Sequence, residues 1–328
     1  MHTDNTGVYM SASKSNYTEV PTLSMKKYIS GSDTERAEFV DALFDGLKYY
    51  GFIILKDHPV STELLDKAYD LSKALFELPL DTKENYISKI HGNQRGYTPF
   101  GKEHAKGNDA PDLKEFWHVG RELPEGHKYA SEYPENIWPD ELKEFKDTFT
   151  KLYDALDTVG DTMLEALTLP LEVPKDYFSK MNQDGNSILR LLHYPPLADG
   201  VDPKCVRAAA HEDINLITVL VAAQGAGLEL LDRDGKWLPV ETDKNNLIVD
   251  AGDMLSRITN EVIPSTTHRV VNPDDGQNVS RFSMPYFIHP NIEATLSCIP
   301  SCKGEHAKYP DIKAQDFLMQ RLKDIGLI

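Results

Sequence analysis

The sequence predicts an α+β fold with a mainly β core, and three observations carry that expectation. Apolar residues in the first half recur at helical spacing. From Ser187 onward, short β-prone runs alternate with turn residues at Pro195-Pro196, Gly225 to Gly227, Asp232 to Gly235, Ala251-Gly252 and Asp274-Asp275-Gly276, the rhythm of an antiparallel sandwich or jelly roll. At 328 residues and 40% hydrophobic content, the chain can bury one large core or two smaller ones.

The elements follow in order. Residues 1–18 are rich in Ser, Thr and Asn and have no signal-peptide core, so a mobile tail is expected. Val40, Leu43, Phe44 and Leu47 share one helical face, with Asp33 as the expected cap. Gly51 to Leu55 reads as a buried strand, and Ser61 opens a second helix whose Leu64, Leu65, Ala68, Leu71 and Leu75 make an apolar stripe that Pro79 ends. Asn93 to Asn108 is polar and glycine-rich, a loop. Leu142, Phe145, Phe149, Leu152, Leu156, Val159 and Met163, spaced by threes and fours, predict a third helix. These stripes are core rather than cofactor boxes.

Composition excludes several classes. Lys and Arg number 35 against 52 Asp and Glu, a net charge of −17, so phosphate backbones and anionic membranes are repelled. Neither nucleic acid nor membrane is an expected partner. Cys205, Cys298 and Cys302 are too few for a disulfide framework, which favours a reducing, cytoplasmic setting with Cys298 and Cys302 as free thiols. No apolar run approaches the roughly twenty residues that span a bilayer. A monomer or weak homo-oligomer is expected.

Chemistry concentrates in the β-rich half. In Ala208-Ala-Ala-His-Glu-Asp-Ile-Asn-Leu-Ile-Thr-Val-Leu220, alternation along extended chain projects His211 and Asp213 to one side and Glu212 elsewhere. His268 follows between Pro264 and Pro273, and a sheet folded back on itself could bring it beside the pair. Two imidazoles and one carboxylate make a facial triad that leaves coordination positions open and suits Fe(II), whereas structural zinc more often recruits thiolates.

The surrounding segments carry a resemblance. Leu189-Arg-Leu-Leu-His-Tyr-Pro-Pro196, His211-Glu-Asp213, Gly227-Leu-Glu-Leu-Leu231, Asp234-Gly-Lys-Trp-Leu-Pro-Val240, Ala251-Gly-Asp-Met-Leu255, Ser265 to Pro273 and Arg281-Phe-Ser-Met-Pro-Tyr-Phe287 stand in one order. Together they resemble the catalytic core of the isopenicillin N synthase-like branch of the iron(II)/2-oxoglutarate-dependent dioxygenases. Gly51-Phe-Ile-Ile-Leu-Lys-Asp-His-Pro-Val60, Phe76-Glu-Leu-Pro79, Lys83, Gly96-Tyr-Thr-Pro99 and Pro111-Asp-Leu-Lys-Glu-Phe116 resemble its amino-terminal cap.

The resemblance implies a double-stranded β-helix over 186–328, a cap domain over 19–125 and a helical connector over 126–185. It implies Fe(II) held by His211, Asp213 and His268 as the catalytic metal, with 2-oxoglutarate and O2 as co-substrates. The far carboxylate of 2-oxoglutarate, entering a partly dry barrel, requires a fixed cation and a hydroxyl. Arg281 supplies the planar fork and Ser283, two residues on, the hydroxyl. By resemblance Tyr194 adds a hydrogen bond, although plant relatives often carry Asn two residues earlier and this chain has Leu192.

The expected activity is hydroxylation of a small organic metabolite, with desaturation or cyclisation as other outcomes, releasing succinate and CO2. A 2-oxoglutarate-independent oxidase of the isopenicillin N synthase kind is an alternative, because there a similar Arg and Ser hold a substrate carboxylate. A non-catalytic binding or sensing protein is a further one. Candidates for the substrate pocket are Tyr97, Phe116, Trp117, Arg190, Asn215 and Phe287, with Phe116 and Trp117 favoured because 112–122 resembles a loop that approaches the site in relatives.

Overall fold

Helices on one side of a large sheet, and a smaller sheet on the other, follow from strands whose two faces differ in what they bury. The computed structural model describes residues 19–88, 94–103, 110–198, 200, 202, 204–224, 226–273 and 278–324. The expected tail, the turn at Asp274 to Gly276 and residues 93 and 104–108 of the expected loop lie outside the described residues, while the described part of that loop, 94–103, contains a short buried strand at Gly96–Thr98.

Strand β1 (Thr22–Ser24) leads into helices α1 (Met25–Ser30) and α2 (Asp33–Tyr50). Ser32, not Asp33, caps α2: its hydroxyl accepts from the Glu35 amide at 3.3 Å while the Glu35 carboxylate accepts from the Ser32 amide at 2.9 Å. Asp33 sits instead on the first helical position, where its charge meets the positive end of the helix dipole. Gly51, with φ of 69°, ends α2 in the left-handed region that favours glycine. Then come β2 (Phe52–Lys56), α3 (Thr62–Phe76), capped by Ser61, and α4 (Leu80–Glu84).

Two strands, β3 (Gly96–Thr98) and β4 (Glu115–Gly120), precede the long helix α5 (Phe145–Thr168) and α6 (Tyr177–Asn182). The stretch expected to be a loop at 112–122 is therefore largely a strand, every residue of which is buried. Next are β5 (Ile188–Tyr194), β6 (Ala208–His211), β7 (Ile217–Gln224), β8 (Leu228–Leu231), β9 (Trp237–Pro239), β10 (Leu247–Ala251), α7 (Asp253–Ile258), β11 (His268–Val270) and β12 (Arg281–Ile288). A small hairpin of β13 (Thr295–Leu296) and β14 (Ile312–Lys313) leads to α8 (Ala314–Asp324).

The large sheet has the order β1-β2-β10-β7-β12-β5-β4-β3, and the small one β6-β11-β8-β9. Strands of the first half thus complete both edges of the sheet that the second half begins. Apart from the parallel β1–β2 edge, all pairings are antiparallel, the ladder of a jelly roll.

Alternation sorts the large sheet's side chains into two cores. One face packs on α2, α3 and α5 through residues such as Leu43, Leu75, Phe149, Leu191, Val219 and Tyr286. The other joins the small sheet in a second cluster that includes Phe116, Leu192, Tyr194, Leu220, Leu228, Leu230 and Ile248. Helix α5 approaches closely because position 160 is glycine: a Cβ there would lie 1.8 Å from Cδ1 of Ile288. The inner cluster occupies the space between the sheets, and the site lies along it.

Candidate active site

The small sheet supplies two of the three triad residues. His211 ends β6 and His268 starts β11, and the two stand opposite each other in the antiparallel ladder with ring centroids 4.4 Å apart. Asp213 follows on the connection to β7, its backbone carbonyl accepting from the Asp253 amide at 2.7 Å. Its Oδ1 lies 3.9 Å from Nε2 of His211 and 3.8 Å from Nε2 of His268, and one donor atom from each residue fits within 4.8 Å of the others. Glu212 turns aside to accept from the Thr267 hydroxyl at 2.7 Å.

Local hydrogen bonds aim these donors. Nδ1 of His211 donates to the Ala209 carbonyl at 2.7 Å and Nδ1 of His268 to that of Thr266 at 3.1 Å, leaving each Nε2 as a lone pair. Burial, reinforced by His268, lowers the His211 pKa to about 4, so the ring is neutral at pH 7. The Thr218 hydroxyl bonds Oδ2 of Asp213 and receives Nδ2 of Asn215 at 3.0 Å. Burial and the adjacent Asp213 push the Asp250 carboxyl well above the usual range. Two imidazoles and one carboxylate converging on one point fit an Fe(II) ion.

Further along the inner face, at the opposite ends of β5 and β12, Tyr194 and Arg281 stand opposite each other. Arg281 is 2% exposed, its Nη1 donates to the Ser283 hydroxyl at 3.4 Å, and its guanidinium lies 5.1 Å from the Tyr194 ring. Among the described residues no carboxylate pairs with it and its Nε has no partner. A buried, unpaired cation is costly, so this one fits a ligand carboxylate arriving along the barrel. A cavity of about 300 Å³ reaches it, walled by Leu220, Ala222, Leu228 and Ile248. Leu192, opposite Ser283, belongs to the apolar cluster between the sheets.

A second cavity, about 340 Å³, opens over His211 and Asp213. Of the six pocket candidates, Arg190, Asn215 and Phe287 line it and Tyr97, Phe116 and Trp117 do not. Trp117 and Tyr97 point to the helical core, the indole against Phe145 and the phenol donating to Glu115 at 2.5 Å. Phe116 faces inward but is covered by the Arg190 guanidinium, 4.4 Å from its ring. Asn215 is fully buried, and its amide supports the turn through Ile217 and Thr218.

Glu103, Asp112, Lys114, His118, Asn186 and His289 also stand in this wall, and none of them was among the candidates read from the sequence. Period two would have found four of them: Lys114 and His118 flank Phe116, Asn186 lies four before Arg190, and His289 two after Phe287. They form a bonded network. Arg190 Nε donates to Nε2 of His118 at 2.6 Å and pairs with Glu103 at 3.2 Å, while Lys114 pairs with Glu103 at 3.4 Å and Asp112 at 2.9 Å. Despite burial, Arg190 and Lys114 hold Glu103 well below the usual carboxylate range. Helix α8 closes the cavity with Leu318 and Leu322, and its Arg321 bonds Asp253.

Sequence and structure comparisons place this arrangement among known proteins. Residues 20–141 match the family described as non-haem dioxygenase in morphine synthesis N-terminal, and residues 185–290 match the 2OG-Fe(II) oxygenase superfamily. The 2-oxoglutarate-Fe(II) type oxidoreductase hxnY of Emericella nidulans is 30% identical over 313 residues, covering 92% of this chain and 88% of its own. A 2OG-Fe(II) oxygenase family protein of Caulobacter crescentus is 43% identical, with a TM-score of 0.84 over 93% of this chain and 98% of its own. A full-length Neurospora crassa protein crystallised in complex with alpha-KG and thymine is 30% identical, with a TM-score of 0.82 over 93% and 96%.

Proposed function

This chain belongs to the 2OG-Fe(II) oxygenase superfamily, and on that premise we propose which of its residues carry the activity. His211, Asp213 and His268 hold the Fe(II); Arg281 and Ser283, with Tyr194, hold the far carboxylate of 2-oxoglutarate. The cavity over His211 and Asp213 takes a small molecule, a reading supported by the thymine bound to the related Neurospora crassa protein.

Fe(II), 2-oxoglutarate and O2 together supply the oxidation of a C–H bond with release of succinate and CO2. The protein's own residues bind, orient and exclude water. Nδ1 hydrogen bonds fix the imidazole tautomers, and Thr218 fixes the Asp213 carboxylate. Arg281 and Ser283 set how deep the co-substrate reaches, while Leu220, Leu228 and Ile248 keep its channel apolar. Substrate then meets the triad from the other cavity, so the two organic reactants approach from different sides. Hydroxylation is the outcome we propose.

The buried Arg281 without a carboxylate partner carries this reading. It is tested by succinate formation as a function of 2-oxoglutarate: Arg281→Ala should raise KM roughly tenfold to hundredfold, the worth of charge-assisted hydrogen bonds. An unchanged KM would remove the assignment. The relative hxnY is described as a 2-oxoglutarate-Fe(II) type oxidoreductase and the Neurospora crassa protein was crystallised with alpha-KG, which disfavours an oxidase drawing all its electrons from substrate. A reducing, cytoplasmic setting is part of this reading, since three cysteines are too few for a disulfide framework.

A further inference from the structure

Arg281 and Tyr194 stand where their strands stop. They are the terminal pair of the β5–β12 ladder, since β5 ends at Tyr194 and β12 begins at Arg281. Strand ends open readily unless side chains hold them, and a fork that must meet a carboxylate in one geometry loses affinity with the time it spends elsewhere.

What holds this end is a row of side chains on the opposite, helix-facing side of the sheet. Glu115, His193 and Phe282 stand side by side across β4, β5 and β12, with His193 next to Tyr194 in sequence and Phe282 next to Arg281. Nδ1 of His193 donates to Oε1 of Glu115 at 2.8 Å, and its Nε2 is hydrogen-bonded at 3.2 Å to the hydroxyl of Ser280, the residue before Arg281. The ring is stacked on that of Phe282 at 4.6 Å, with 11° between the planes, and on that of Phe76 at 5.3 Å. Two directed bonds and two stacked faces fix it in one orientation. Glu115 is anchored in turn, accepting from Nζ of Lys83 at 2.8 Å and from the Tyr97 hydroxyl at 2.5 Å. The residues on either side of this contact are clasped as well: Asn278 exchanges two hydrogen bonds with the Leu197 backbone, both at 2.7 Å, and Nη2 of Arg207 donates to the Val279 carbonyl at 2.5 Å. Neither His193, Glu115 nor Ser280 lines either cavity, so none of them reaches a reactant.

Resting on the assignment of Arg281 and Tyr194 to the far carboxylate of 2-oxoglutarate, we propose that His193 is a positioning residue for that site. By bonding Ser280 and stacking on Phe282, it holds the start of β12 against the end of β5 and fixes the Arg281 fork at the depth 2-oxoglutarate requires. Lys83 and Glu115 brace it from the first half of the chain, so the cap contributes to co-substrate selection without touching the co-substrate.

The test compares Ser280→Ala, Ser280→Thr, His193→Phe and Arg281→Ala in the full chain. Equilibrium dialysis of 2-oxoglutarate, and of 2-oxoadipate with its extra methylene, against the Fe(II)-loaded chain without O2 reads affinity, and succinate formation reads KM and kcat. Ser280→Ala should weaken 2-oxoglutarate roughly threefold to tenfold, the worth of about one hydrogen bond, and narrow the preference over 2-oxoadipate by the same factor. Ser280→Thr, which keeps the hydroxyl, should restore both. His193→Phe, which keeps the stack and leaves Glu115 to Lys83 and Tyr97, should match Ser280→Ala. In Ser280→Ala, kcat at saturating 2-oxoglutarate and Fe(II) affinity should stay within about twofold of wild type, a split that general loosening of the fold would not produce. Unchanged 2-oxoglutarate affinity in Ser280→Ala, or affinity lost together with Fe(II) binding, overturns the proposal whether or not His193→Phe folds. Arg281→Ala separates the two readings: loss of 2-oxoglutarate there with none in Ser280→Ala removes the positioning role alone, and no loss in Arg281→Ala removes the co-substrate site on which it rests.

Discussion

Burial is the main reason that His289 and His211 are neutral, lowering each pKa to about 4, with His268 adding to the shift at His211. The unfolded chain takes up protons at both rings as pH falls below about 6.5, whereas the folded one does not until about 4. Stability is therefore lost on acidification through that window, even though neighbouring Asp213 partly favours protonation of each ring. Replacing His289 with Leu should flatten the denaturant midpoint between about pH 6.5 and 4 and leave the steeper loss below about pH 4.5, where Glu103 and its kind titrate. An unaltered pH slope would show that His289 is protonated in the fold. At Arg281 the expectation is geometric: Arg281→Lys should recover only part of the 2-oxoglutarate affinity lost in Arg281→Ala, since a point charge cannot reproduce the fork beside Ser283.

The order His211, Asp213, His268, Arg281, Ser283 was legible because each residue belongs to a recognisable segment. Asn186 and His289 belong to none, and Lys114 and His118 lie in a stretch whose resemblance was to a loop, which gives no inward face. They became visible only once β4, β5 and β12 were established as strands with a defined inner face.

Among elements, helices were read well because their stripes are local. Ser61 and the stripe of α3 match the expectation, and only the cap of α2 moved by one residue. Strand β4 was missed for a physical reason: it carries charges into a buried position. Glu115 is satisfied by Lys83 at 2.8 Å and His193 at 2.8 Å, partners contributed by α4 and β5 that no local pattern reveals. Where elements meet at the triad, Gly252 has no room for a side chain, since a Cβ would lie 2.3 Å from the Asn215 carbonyl oxygen. Gly252→Ala should displace the turn carrying Asp213 and weaken Fe(II) binding roughly tenfold or more, with a lowered Tm. Equilibrium dialysis and thermal unfolding check both effects, and unchanged iron affinity would show that the turn does not aim Asp213.

At the scale of the whole molecule, the sheet order was beyond the sequence. Long-range pairing of β2 with β10 and of β4 with β5 joins segments whose proximity depends on everything between them. The same holds for α8, which reaches back over the triad. Its Arg321–Asp253 bond ties the end of the chain to the segment hydrogen-bonded to Asp213. Arg321→Ala should loosen that cover, raising substrate KM and the ratio of 2-oxoglutarate consumed to substrate oxidised, with the 2-oxoglutarate KM held within about twofold. A rise confined to the 2-oxoglutarate KM would place Arg321 on the other reactant.

All of these expectations depend on three side chains converging at one point. The most direct measurement is succinate formed from 2-oxoglutarate by the wild-type chain and by His268→Ala at saturating Fe(II), alongside circular dichroism of both. A triad that holds the catalytic iron predicts succinate in the first and less than about a hundredth of it in the folded variant. Undiminished succinate from a folded His268→Ala chain would contradict it.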